Sequence, residues 1–155
     1  MSKQAIVVLN AGSSSVKFSV FFRESGTLAL RIRGQIEALF SAPHFTAKDA
    51  AGARISEKSW PAGTKLGHEG ALAHLFEFLR ERADGVTLIG VGHRVVHGGM
   101  EYTHPVRVDA TVLGALDKFV PLAPLHQPHN LAAIRAVLHR SPDVPQIACF
   151  DTAFH

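Results

Sequence analysis

An apolar run from Ala5 to Leu9 ends in the turn Asn10-Ala11-Gly12-Ser13-Ser14-Ser15, and the chain resumes at once in the alternating segment Val16 to Phe22. A continuous apolar run bounded by turn residues predicts a strand buried on both faces, and period-two alternation predicts a half-buried one. A turn this short makes the two strands an antiparallel pair. A second turn, Glu24-Ser25-Gly26, leads into a third strand over Thr27 to Ile36, so the chain opens as a meander. Residues 44–60 read as a weaker hairpin turning at Ala51-Gly52, polar enough to lie at the surface.

Helical periodicity begins after the meander. Leu72, Leu75, Phe76 and Leu79 recur at three- and four-residue spacing within a predicted helix from His68 to Ala83. A buried strand over Thr87 to Val91 runs into His93-Arg94-Val95-Val96-His97-Gly98-Gly99. Asp109 can cap a helix from Ala110 to Phe119 that Pro121 ends. A further helix spans Asn130 to His139, with Leu131, Ile134, Val137 and Leu138 on one face, and a last strand spans Gln146 to Phe150. A meander followed by alternating helices and strands predicts an α/β fold, with a mixed sheet and helices packed on it.

Composition narrows the function classes. With 46% hydrophobic and 19% charged residues in 155, the chain is long and apolar enough for one domain with a core. No apolar run approaches the length of a membrane span, and Met1-Ser2-Lys3-Gln4 lacks the features of a signal peptide, so a cytoplasmic protein is expected. The net charge is +3, without a run of four basic residues and without aromatics interleaved among Lys and Arg, which argues against nucleic acid as a partner. The single cysteine, Cys149, excludes an internal disulfide and reads as a small buried hydrophobe. Ten histidines raise the idea of zinc, but they are scattered, and the pair His93 and His97 falls where a strand meets a Gly-rich loop.

Four segments carry candidate chemistry, and each also has a plain structural reading. The turn from Asn10 to Lys17 offers backbone N–H groups near Gly12, the hydroxyls of Ser13 and Ser15 and the cation of Lys17, which suit a phosphate, though a polar hairpin turn has the same composition. Arg94, after an apolar strand, is expected to be part-buried and so to need an anion, either a protein carboxylate or a ligand. His126, in a loop shaped by Pro124, can donate to a phosphoryl oxygen or to a loop carbonyl. Asp151 follows a strand end, where a carboxylate serves acid–base or metal chemistry or caps a helix. Together they form the kind of set that phosphoryl transfer uses, which rests on positioning and charge neutralisation.

The same set resembles the acetate and propionate kinase family. The matching segments, in order, are Leu9 to Lys17, Gly92 to Gly99, Ala123-Pro124-Leu125-His126 and Cys149 to His155. Gln127, His129 and Met100 depart from the usual family residues at their positions. The resemblance implies a ribonuclease H-like lobe, of the superfamily that includes actin, Hsp70 and sugar kinases, and a cleft closed by a second lobe beyond this chain. It implies reversible phosphate transfer from ATP to acetate, giving acetyl phosphate and ADP, with Mg2+ as cofactor and a homodimeric full-length enzyme. It also implies roles: Asn10 near the metal; Gly12, Ser13, Ser15 and Lys17 along the phosphates; Arg94 on the acetate carboxylate and the phosphoryl group; Val96 and Leu125 around the methyl group; His126 at the phosphoryl region; Asp151 as the catalytic carboxylate. This chain alone is expected to be inactive and to self-associate through exposed apolar surface. The alternatives are propionate or butyrate as substrate, a non-catalytic anion-binding module, and a zinc protein. Intact Arg94 and Asp151 weigh against the module.

Overall fold

Residues 3–82, 86–95, 106–107, 127–140 and 143–150 are described by the computed structural model. Five strands come first: β1 (Lys3–Ala11), β2 (Val16–Glu24), β3 (Thr27–Glu37), β4 (His44–Asp49) and β5 (Arg54–Ser59). Helix α1 (Gly67–Arg82), β6 (Val86–Val95), β7 (Val106–Arg107), helix α2 (Gln127–Arg140) and β8 (Gln146–Phe150) follow. The described strands form one sheet in the order β5-β4-β3-β2-β1-β6-β8-β7. The strands β1 to β5 are joined antiparallel, whereas β1, β6 and β8 run parallel to one another.

Alternation along each strand sorts the side chains onto two faces. On the inner face Ala11 pairs with Val16, Val16 with Ile36, and Ile36 with Phe45, and all four are buried. Further along the same face lie Val7 and Leu9 on β1 and Val91 and His93 on β6, also buried. Both described helices pack here. Phe45 sits under α1, edge-on to His74 and Phe78 with ring centroids 4.5 and 5.2 Å away, and lies stacked 6.0 Å from Phe18. Helix α2 lies against α1, β1 and β6, with Leu131, Ile134 and Val137 buried.

The meander, the hairpin at 51–52, α1 and β8 fall where the sequence places them. Five details differ. Strand β1 is buried on one face only: Val8 is 39% exposed and Asn10 is exposed, because both described helices cover the opposite side. The β4–β5 hairpin is not purely a surface element, since Phe45 and Ala47 are fully buried. Helix α2 starts at Gln127 instead of Asn130, with Pro128 in the first turn, where no intrahelical N–H bond is lost. Leu138 is 40% exposed, off the stripe of α2 that meets the core. Strand β7, two residues long, is too short to leave a periodic signal. The expected helix over Ala110 to Phe119 lies outside the described residues.

Gly34 is where β2, β3 and β4 crowd most. A Cβ there would strike the Thr46 carbonyl oxygen and lie 2.7 Å from the ring of Phe18. The absent side chain lets Phe18, its register partner on β2, cross β3 to reach Phe45.

Candidate anion site at the strand ends

The turn between β1 and β2 is held from three directions. Inside it, the Gly12 N–H donates to the Ser15 carbonyl at 2.8 Å. From the β3–β4 connection, the Leu39 N–H donates to the Ser14 carbonyl at 3.0 Å. From the first turn of α1, buried His68 donates through Nε2 to the Gly12 carbonyl at 2.7 Å, which fixes that tautomer. Ala38, just before Leu39, adopts φ 52, a left-handed conformation that costs a residue with a Cβ about 1 kcal/mol. The clamps leave Ser13 and Ser14 exposed and Ser15 half-buried.

Beside the turn lies a recess of about 540 Å³ lined by Ser14, Ser15, Lys17, Gln35, Glu37 and Ser41, among others. Gln35 donates from Nε2 to Glu37 Oε1, which engages the one carboxylate of this lining.

Asn10 and Lys17 are register partners, and both are exposed on the outer face. Leu9 of β1 pairs with His93 of β6, so Asn10 and Arg94 are the next residues at the carboxyl ends of two adjacent parallel strands. Arg94 in turn pairs with Cys149 of β8. The crevice outside the carboxyl ends of parallel strands is where open α/β sheets bind ligands. Arg94 is exposed, not part-buried as the apolar run before it suggests. It alternates with His93, so burial of His93 on the inner face turns Arg94 outward.

His93 is neutral. Burial pushes its pKa down to about 4, against the smaller opposing effect of its hydrogen bond to Gln146. Nε2 of His93 donates to Gln146 Oε1 at 2.5 Å, and Gln146 Nε2 donates to the Ile134 carbonyl at 3.3 Å. This chain of bonds ties β6, β8 and α2 together directly behind Arg94.

The structure therefore brings Asn10, Gly12, Ser13, Ser15, Lys17 and Arg94 to one end and one side of the sheet. Val96, Leu125, His126 and Asp151 lie outside the described residues, as does the thiol of Cys149. Sequence reasoning missed His68, Gln35 and Gln146. The roles of His68 and Gln146 depend on pairings such as His68 with Gly12, 56 residues apart, which leave no local pattern. Gln35 bonds Glu37 two residues on, and its place in the recess is set by the neighbouring strands.

A mixed sheet with helices packed on one face, a clamped hydroxyl-bearing turn, and Lys17 and Arg94 exposed at the same end defines an α/β lobe whose strand ends offer donors to an anion. Comparison with known proteins makes this specific. The model of the Acetokinase family matches residues 5–155, and the chain belongs to that family. It is 46% identical over 151 residues to the acetate kinase of Rhizobium meliloti, covering 97% of this chain and 38% of that protein. It is 44% identical to the acetate kinase of Nitrobacter hamburgensis, covering 97% of this chain and 37% of that protein. Among solved structures, a propionate kinase from Francisella tularensis superposes with a TM-score of 0.82 at 33% identity, covering all of this chain and 38% of the other. The Porphyromonas gingivalis acetate kinase gives 0.81 at 29% identity, with 99% of this chain and 38% of the other covered. The chain thus spans less than two-fifths of the length of these relatives. Its fold is the α/β, ribonuclease H-like lobe that the resemblance implies.

Proposed function

We propose that this chain is the N-terminal lobe of a two-lobed enzyme that transfers phosphate reversibly between ATP and acetate. The observation that carries the reading is the meeting of Asn10, Lys17 and Arg94 beside the clamped serine turn, in a chain of the Acetokinase family. Backbone N–H groups and hydroxyls of residues 12–15, with Lys17, hold the phosphates of the nucleotide. Arg94 presents a planar fork to the acetate carboxylate and to the phosphoryl group in transit. Val96 and Leu125 enclose the methyl group, and His126 donates to the phosphoryl oxygens.

Acetate is already ionised at neutral pH, so it attacks without losing a proton. A carboxylate oxygen forms a bond to the γ-phosphorus as the bond from that phosphorus to the β–γ bridging oxygen breaks, and ADP leaves. Asp151 steers charge around this exchange and does not act as a simple base. Asn10, exposed and the register partner of Lys17, offers the hard oxygen donor that Mg2+ accepts alongside waters and phosphate oxygens. Bound there, Mg2+ would neutralise phosphate charge.

The reading includes a cytoplasmic, homodimeric parent and a lobe inactive alone, since half a cleft cannot hold two substrates in line. The test is acyl-phosphate formation by the full-length parent with magnesium-ATP and acetate, propionate or butyrate in turn. Fast turnover with acetate supports the proposal. Preference for propionate, the substrate named for the Francisella tularensis neighbour, would move the assignment to that acid. No product with any of the three would leave a non-catalytic anion-binding module.

A further inference from the structure

The outer face of β2 to β5 holds a second cavity of about 540 Å³ that shares only Lys17 with the residues proposed for the transfer. Its lining includes Arg33, Lys48 and Arg54, and Lys17 and Gln35 join it to the recess beside the serine turn. Arg33 on β3 is the register partner of Lys48 on β4, and Lys48 is the partner of Arg54 on β5. Three cations therefore stand in one cross-strand row, reaching about 10 Å at the usual strand spacing. Like charges directly opposite on adjacent strands destabilise a sheet. Arg54 makes one exposed contact with Glu57, at 3.4 Å. Among the described residues, Lys17, Arg33 and Lys48 have no carboxylate partner. The lining carries no carboxylate, and its polar remainder, Ser19, Gln35 and Thr46, can donate hydrogen bonds.

We propose that this cavity is a binding site for a small molecule carrying several phosphate groups in a chain, separate from the transferred phosphate. Charge and shape select that class. The row of cations matches a line of anionic groups, and guanidinium and ammonium groups are the donors that phosphate takes. The cavity has the size of a small-ligand site, not of a groove tracking a polymer. Its one aromatic, Phe18, is buried in the core, so no ring is available to stack a base. The phosphates themselves are what the site reads.

The test is calorimetric titration of this chain with inorganic tripolyphosphate at low salt, matched against inorganic phosphate at equal ionic strength. Saturable binding is expected, with phosphate binding about tenfold or more weaker, because it meets fewer cations at once. The double variant Arg33→Ser, Lys48→Ser should lose about tenfold or more in affinity, whereas Arg80→Ser, which removes an exposed cation from α1 on the other side of the sheet, should stay within about twofold. Thermal melting without ligand keeps the test independent of folding: relieving the like-charge row should leave the variant melting no lower than the parent chain. Absence of saturable binding, equal binding of phosphate, or an unchanged affinity in the double variant would each overturn the proposal. The last result would assign the tripolyphosphate to the serine turn.

Discussion

His68, on the first turn of α1, donates to the carbonyl oxygen of Gly12 at 2.7 Å and so makes the start of the helix a support for the turn between β1 and β2. The bond is part-buried, and water replaces it poorly. Substitution His68→Ala should cost about 1–3 kcal/mol, the penalty for leaving a buried carbonyl without a donor. Urea unfolding of the chain measures this. In the full-length parent the same change should raise KM for ATP more than it changes KM for acetate. Equal effects on both substrates would remove the link between His68 and the nucleotide binding proposed for the turn.

Stability should fall as the pH drops from 6.5 toward 4. His93 is buried neutral with a pKa of about 4 in the fold, against an ordinary 6.5. Below pH 6.5 the unfolded chain binds a proton that the folded chain refuses, so unfolding gains. The contribution is fully present above 6.5, is lost progressively down to about 4 and then levels off, about 3 kcal/mol in all. His74, lowered by burial and then by Lys58, acts in the same direction. Urea midpoints at several pH values would show the slope, and His93→Gln should flatten it. A variant with the parent's slope would show that another group sets it.

Gly34→Ala should destabilise the chain by more than about 1 kcal/mol. The new methyl group meets a backbone carbonyl of β4 and the ring of Phe18, and the carbonyl cannot step aside without breaking the ladder. Thermal melting measures the loss. An unchanged melting temperature would mean that β3 and β4 separate at little cost.

Phe45→Ala should cost about 3–5 kcal/mol. Phe45 is fully buried and meets Phe18, His74 and Phe78, so truncation leaves a cavity between the sheet and α1. Leucine at this position should recover part of the loss. Denaturant unfolding of both variants provides the comparison.

If Asp151 has the proposed role, Asp151→Asn in the full-length parent should lower kcat far more than it raises KM for acetate, since that role places its charge in the transition state and not in acetate binding. Steady-state kinetics separates the two. Unchanged turnover with weaker acetate binding would make Asp151 a binding residue.

Much of the lobe is local information. The alternation of Val16, Phe18, Val20 and Phe22 against Lys17 and Ser19 states a half-buried strand, and β2 shows that pattern. Leu72, Leu75, Phe76 and Leu79 state the buried stripe of α1. Asn10, Gly12 and Lys17 stand close together in the chain, so their proximity was visible before any fold. Arg94 was identified as a candidate, but its exposure was misjudged. An apolar run before a residue reports the burial of the strand, not which way its last residues face.

By itself, then, the sequence determined most of the described strands, both described helices and the residue types gathered at the turn, because hydrophobic period and turn chemistry act over a few neighbours. The tertiary structure alone decided that β6 lies parallel to β1, which sets Arg94 beside Asn10. It alone decided that His68 reaches back to Gly12, that Gln146 neutralises the polarity of buried His93, and that Arg33, Lys48 and Arg54 form a row. Each of these is a contact between residues distant in the chain, and register between strands is set by packing of the whole inner face, which no short window of sequence contains.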